Sequence, residues 1–349
     1  MTIDNEVLAL ADLGWRTFFS SQEPPDRDAV PGRVMAVHRS AVDVAGESFR
    51  RLVPAGGDTA IGAIAVGDWV WLDGACERVT GILQRYGEFR RVAAGPRSEV
   101  QLIAANVDTL FVVTSANRDF NVARLERYLA LASEAGALPV IVITKADLIA
   151  DVSACLNAAT ALKPGLVVEA VDARDYDSVS ILEDWCGKGQ TVALVGSSGV
   201  GKSTLINTLT ESSQSTRAVR DHDQRGRHTT TGRSMHRLQA GGWLIDTPGM
   251  RELKLVDADE GIADVFGEIE ALAEHCRFSD CEHGAEPGCA VVAAIEAGEL
   301  DADRLHRYHK LLAENRRHSE SVVARRARER SLGKLYKTIQ ADNRRLKGD

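Results

Sequence analysis

A chain of 349 residues, 44% hydrophobic and 26% charged, has room for two or three domains and the ordinary make-up of a globular protein. No apolar run approaches a membrane span, and Met1-Thr2-Ile3-Asp4-Asn5-Glu6 lacks the basic stretch of a secretory leader; no membrane association and a cytoplasmic location are the expectations. The net charge of −8 argues against a general polyanion binder, yet Arg304 to Asp349 carries 14 Lys and Arg against 5 Asp and Glu, so an anionic partner is expected at that end alone.

In chain order, residues 1–30 are acidic and weakly patterned, read as an extension ending in Glu23-Pro24-Pro25-Asp26-Arg27-Asp28. Residues 31–95 hold short β-type runs between turn residues: Arg33–Val37, Ser40–Val44, Ile61–Ala65 and Asp68–Leu72. Their spacing suits a small barrel, OB-like with five strands or SH3-like. Arg33, Trp69 and Trp71 are candidates for a nucleic-acid face, with Trp69 better suited to the core. Residues 96–257 alternate strand and helix: strands at Thr109–Val113, Pro139–Ile143, Leu166–Val168, Val192–Val195 and Gly242–Ile245, and an amphipathic helix over Val122–Leu131. Alternation of this kind predicts an α/β unit with a parallel sheet and crossover helices. Residues 258–349 read as helical, interrupted by a Cys/His cluster, and end in charged helices.

Thr144-Lys145-Ala146-Asp147 follows the second of those strands and has the form of a guanine-reading turn. The two oxygens of Asp147 can accept from guanine N1–H and the 2-amino group, a donor pair adenine lacks. Lys145 would lie along the base. Thr144, standing where asparagine is usual, offers one donor for the base or a neighbouring loop.

Gly196-Ser197-Ser198-Gly199-Val200-Gly201-Lys202-Ser203 lies between a strand and a helix and fits the phosphate-binding pattern G-x-x-x-x-G-K-[ST]. Its N–H groups and helix N-terminus would cradle phosphates, Lys202 would reach the β- and γ-phosphates, and Ser203 would hold Mg²⁺, with Thr204 beside it as a further nucleotide contact. Gly226 to Gly232 reads as a mobile switch loop; Thr230, then Thr229, is the candidate to complete Mg²⁺ coordination. Asp246-Thr247-Pro248-Gly249 closes the next strand, where Asp246 would face Mg²⁺ through water and the Gly249 N–H the γ-phosphate.

Cys276, Cys281, His283 and Cys289 make a complete Cys₃His set within fourteen residues, which favours one structural zinc with no position left open for water. Cys76, Cys155 and Cys186 are isolated and read as packing residues. Arg316-Arg317, Arg325-Arg326 and Arg328 to Arg330, with Lys334 and Lys337, are placed to meet RNA phosphates.

The base reader precedes the phosphate loop and the switches, a circular permutation of the ordinary GTPase order. Together with Asn106-Val107-Asp108, Thr114-Ser115-Ala116-Asn117 and the Cys/His cluster, that order resembles the circularly permuted, ribosome small-subunit-dependent GTPase family over about residues 30–312. The resemblance implies an OB-fold for the barrel, GTP hydrolysis stimulated by the 30S subunit during its late maturation, and contact with 16S rRNA. It implies GTP and GDP as ligands, and a monomer is expected. It also places the second base loop at Asp172-Ala173, with Ala173 contributing its backbone N–H. Met250 follows Gly249 where Ras-like enzymes carry a water-orienting glutamine, so slow hydrolysis by the free protein is expected, and His228 is the candidate to position water. Two other readings stand beside this one: a nucleotide-regulated RNA-binding scaffold with negligible turnover, and a P-loop kinase or ATPase, which Asp147 disfavours.

Overall fold

The structure, a computed structural model, describes residues 8–54, 63–92, 100–117, 119–210, 233–246, 253, 255–284 and 286–319. The N-terminal unit is antiparallel: β1 (Val30–Val37), β2 (Ala41–Gly46), β3 (Phe49–Pro54), β4 (Trp69–Leu72) and β5 (Val79–Ile82), with β1 pairing both β2 and β4. Its interior is aliphatic: Val34, Val42, Val44, Val53, Ile64, Val70, Leu72 and Val79. These are the five strands of the OB-like barrel. Of the expected strand at Ile61–Ala65, Ala63, Ile64 and Ala65 are not in a strand; pairing there is limited to a bridge between Val66 and Ala104. A separate ladder joins β6 (Glu88–Val92) to β7 (Val100–Ala105).

The α/β unit follows as β8 (Thr109–Ser115), β9 (Leu138–Thr144), β10 (Val167–Val171), β11 (Thr191–Val195), β12 (Arg233–Arg237) and β13 (Trp243–Asp246). The order β10-β9-β8-β11-β13 is parallel throughout. Runs such as Leu110-Phe111-Val112-Val113 become parallel strands because both faces are covered. Leu110 and Val112 enter one core while Phe111 and Val113 enter the other, as strand alternation requires.

Helices flank this sheet: α2 (Val122–Glu134), α3 (Ser153–Thr160), α4 (Tyr176–Val179) and α5 (Lys202–Thr210), while a short α1 (Thr17–Ser20) precedes the barrel. α6 (Asp259–Val265), α7 (Gly267–Ala273) and α8 (Ala290–Glu296) lead to a helix over 302–319, here α9.

The two sheets are one. β12 pairs antiparallel with β13 on one side and with β1 on the other, through Ala36 opposite Ser234 and Val37 opposite Arg233. Residues 8–30 are also more ordered than their pattern suggests. Leu13 and Phe19 are buried, Trp15 meets Trp69 edge-on at 4.7 Å, and the Trp243 indole donates to the Asp12 carbonyl at 2.8 Å. Arg33, expected at a nucleic-acid face, is 1% exposed. Its guanidinium donates to the carbonyls of Leu13 and Asn106 and to Thr191 Oγ1, so it joins the N-terminal segment, the barrel and the α/β sheet from within. Trp69 is core, as its pattern suggests, and Trp71 is half-buried.

Asn106-Val107-Asp108 is a structural joint. Asn106 sits at φ 55°, and Asp108 accepts from Tyr86 Oη, the Thr191 N–H and Arg16.

Candidate nucleotide site and metal centre

In open α/β sheets, ligands gather at the carboxyl ends of the strands. Four candidate elements arrive there on the parallel strands: Thr144 to Asp147 after β9, Asp172 and Ala173 after β10, the glycine-rich loop after β11, and Asp246 at the end of β13. β11 pairs with β13 from Thr191–Trp243 to Ala193–Ile245, so the loop ending in Lys202 and Ser203 and the Asp246 carboxylate leave the sheet at the same end.

The loop folds as its glycines demand. Gly196 has φ 144°, and a Cβ there would lie 2.2 Å from the Val113 carbonyl oxygen. Ser198 and Gly199 are exposed, Val200 is buried, and Gly201 runs into α5 against the Thr144 side chain. Lys202 is buried and donates to the carbonyls of Gly196 at 2.7 Å and Ser197 at 2.5 Å. Ser203 and Thr204 are exposed on the first turn of α5. One contact had no signal in the loop motif itself: Arg124, in the first turn of α2, donates to Ser197 Oγ. Asn121 caps that helix by accepting from the Arg124 N–H at 2.9 Å.

The turn after β9 is tied to the glycine-rich loop. Lys145, at φ 59°, donates from Nζ to the Gly199 carbonyl at 2.8 Å. Thr144 is wholly buried, and its hydroxyl lies 2.5 Å from the Val200 carbonyl and 3.1 Å from that of Thr114. The hydroxyl therefore ties loops together beneath the site. Asp147 is partly exposed and accepts from Arg174 Nη2 at 2.7 Å. Ala173 is buried, with its carbonyl accepting from Thr208 Oγ1 of α5 at 2.7 Å. Asp172 receives the Arg174 guanidinium, which holds its carboxyl below the usual range. Arg174 and Thr208 were not singled out from the sequence; the signal available was the position of Arg174, two residues after Asp172. His228, Thr229, Thr230, Gly249 and Met250 lie outside the described residues.

The ligating atoms of Cys276, Cys281, His283 and Cys289 all lie within 4.8 Å of one another. Cys276 and Cys289 sulfurs are 3.8 Å apart, and each is 3.6 Å from His283 Nδ1. A tetrahedron with bonds of about 2.3 Å to sulfur and about 2.0 Å to nitrogen has edges of about 3.8 and 3.5 Å, so the set is shaped for one small tetrahedral ion. His283 takes φ 58° to turn its ring inward, and Gly288 takes φ 83° before Cys289 caps α8. His309 of α9 lies parallel to the His283 ring at 6.5 Å.

This module is bolted to α2. Glu126, wholly buried, accepts from Arg304 at 2.7 Å and from Arg307 at 2.8 Å, and Arg127 pairs with Glu314. Arg304 also donates to the carbonyls of Leu162 and Val265 and lies 4.1 Å over the Phe266 ring. Two arginines counted with the basic end are thus spent on packing, while Arg316 and Arg317 remain exposed. Among the described residues no helix is long and apolar enough to cross a membrane.

The family described as RsgA GTPase matches residues 82–256. Small ribosomal subunit biogenesis GTPase RsgA 2 of Vibrio parahaemolyticus (serotype O3:K6, strain RIMD 2210633) is 48% identical over 339 residues, 96% of this chain and 94% of that protein. Small ribosomal subunit biogenesis GTPase RsgA of Mesorhizobium japonicum is 51% identical over 315 residues, covering 88% and 90%. The crystal structure of YjeQ from Thermotoga maritima superposes with a TM-score of 0.61 at 25% identity, covering 82% of this chain and 98% of that one. YloQ, described as a circularly permuted GTPase, gives 0.60 at 25% identity, covering 84% and 97%.

Proposed function

The chain belongs to the RsgA GTPase family, and from that premise we propose that it hydrolyses GTP in the service of small ribosomal subunit biogenesis, with the 30S subunit stimulating turnover and 16S rRNA as its contact. The observation that carries this reading is the convergence of Asp147, the loop ending in Lys202 and Ser203, and Asp246 at one end of a parallel sheet, in permuted chain order.

Asp147 reads the guanine, with the Ala173 N–H beside it. The backbone of Gly196 to Gly201, with the N-terminus of α5, receives the phosphates. A bound phosphate offers the Lys202 ammonium better acceptors than the neutral carbonyls it meets here. Ser203 and Thr230 would hold Mg²⁺, which neutralises charge developing between the β- and γ-oxygens when bound. His228 orients the attacking water. Cys276, Cys281, His283 and Cys289 hold a structural zinc that fixes the fold of the 276–289 loop. The exposed Arg316 and Arg317, and the basic residues that follow, meet rRNA phosphates, so subunit binding weakens as salt rises.

GTP turnover with and without purified 30S subunits is the direct test. Slow hydrolysis alone, acceleration by subunits and no competition by ATP are expected; a preference for adenosine nucleotides overturns the assignment. Met250, with no carboxamide for water, favours the rival reading of an RNA-binding scaffold, and absent stimulation would establish that one. His228→Ala should lower stimulated turnover and leave nucleotide affinity nearly intact; full stimulated activity removes His228 from the mechanism.

A further inference from the structure

Two cations meet at Ser197. Its carbonyl accepts from Lys202 at 2.5 Å, and its hydroxyl accepts from Arg124 Nη1, which reaches over from the first turn of α2. Ser197 marks one end of the glycine-rich loop. At the other end Lys145, from the turn that also holds Asp147, donates to the Gly199 carbonyl at 2.8 Å, so Gly199 lies towards the base. Ser197 is therefore on the side away from the base, with the lysine that this motif directs at the β- and γ-phosphates.

The charge on Arg124 is unanswered where its neighbours' charges are not. Arg127 of the same helix has Glu314, and Arg304 and Arg307 share Glu126. Arg124 is half-buried and forms no ion pair among the described residues. Its guanidinium spends one N–H on Ser197 Oγ and keeps the rest of its donor fork free there. A partly desolvated cation beside a loop shaped for phosphates is completed by the anion that the loop receives. We propose that Arg124 is a second cationic ligand of the terminal phosphate, supplied in cis from α2, so that it favours GTP over GDP. The inference rests on the assignment of residues 196–203 as the phosphate cradle.

The fold prepares the arginine for this contact. β8 pairs with β11 up to Val112 opposite Val195, and Gly196 lies so close to β8 that a Cβ there would sit 2.2 Å from the Val113 carbonyl oxygen. The loop thus starts against the strand whose continuation becomes α2. Asn121 accepts from the Arg124 N–H at 2.9 Å, which fixes the backbone of the arginine itself, and Glu126 and Arg127 lock the helix to α9. Only the side chain has to move. A neutral hydroxyl is a weaker acceptor than a phosphoryl oxygen, so the guanidinium can leave Ser197 Oγ for the phosphate, or hold both through its fork.

Equilibrium binding of GDP and of guanylyl imidodiphosphate, each with Mg²⁺, to the full chain tests this. Arg124→Ala should weaken the triphosphate about tenfold and GDP less than about threefold, the loss of one charge-assisted contact discounted for solvent screening. Arg124→Lys, which keeps the charge without the fork, should restore part of the preference for the triphosphate. Ser197→Ala removes the hydroxyl and leaves the guanidinium, so the ratio of the two affinities should stay as in wild type or rise. A merely structural tether between α2 and the loop predicts the reverse, with Ser197→Ala copying Arg124→Ala and both nucleotides weakened alike. That result overturns the inference, and so does an unchanged affinity ratio in Arg124→Ala. Failure of the underlying assignment is read separately: Lys202→Ala must abolish binding of both nucleotides, and if it does not, the cradle lies elsewhere and the role of Arg124 falls with it.

Discussion

Thr144 has one donor to offer the base or a neighbouring loop, and here the loop takes it. Its hydroxyl lies against two carbonyls, of Val200 and Thr114, in a spot with no exposure. Thr144→Val keeps the shape and removes the donor, leaving both carbonyls without it; a loss of about 1–3 kcal/mol in unfolding free energy is expected, measured by urea titration. GDP affinity should fall with it, because the loops carrying Lys145 and Gly199 would no longer be tied from below. The positions of Asp147, Lys202 and the four Cys and His residues could be read from the sequence because each belongs to a short motif; the structure brings the first two to the carboxyl end of the parallel sheet and the last four within 4.8 Å of one another. Arg33 could not be read that way. Its acceptors belong to Leu13, Asn106 and Thr191, and nothing near position 33 marks it as buried; an arginine beside a valine-rich strand reads as surface. Arg174 hid for the same reason, since its partner Asp147 lies 27 residues earlier in the chain.

Among the elements, α2 does the most joining. Arg124 at its start touches the phosphate loop, Glu126 and Arg127 hold α9, and Ala130 meets α6 so closely that a Cβ on Gly261 would sit 2.2 Å from its carbonyl. Gly261→Ala should therefore push α6 off α2, exposing the joint to protease while the Cys276, Cys281, His283 and Cys289 set stays together. Glu126→Ala takes the buried counter-charge from Arg304 and Arg307 while Glu268 stays on Arg304 at 2.6 Å, so a loss at or below the low end of about 3–5 kcal/mol is expected by chemical denaturation. A metal held by Cys276, Cys281, His283 and Cys289 would act elsewhere: a chelator, or Cys289→Ser, should raise amide exchange in α8 and the preceding turn before the sheet is affected. The strong periodicity of α2 was readable, with Leu125, Leu129 and Ala132 on its buried face, but its partner helix could not be read from a local pattern.

For the molecule as a whole, the parallel sheet was legible because its strands are continuous apolar runs, whereas β12, Arg233-Ser234-Met235-His236-Arg237, is polar and has no such signature. Its strand form comes from its neighbours on both sides. The N-terminal segment reads as an extension by pattern, yet deleting residues 1–21 would uncover Trp69 and remove partners of Arg33 and Trp243. That truncation should lower the melting temperature of the whole chain by several degrees and not merely shorten it; an unchanged melting temperature would return the segment to the status of a tail. The backbone ladder, meanwhile, runs unbroken from β10 to β3 through β12, with β4 and β5 branching from β1 and only β6 and β7 in a ladder of their own among the described residues. Such a ladder offers heat no seam at which to begin. Calorimetry should record one endotherm for barrel and nucleotide sheet together, with calorimetric and van't Hoff enthalpies in agreement, although composition and strand pattern divide the chain into separate units.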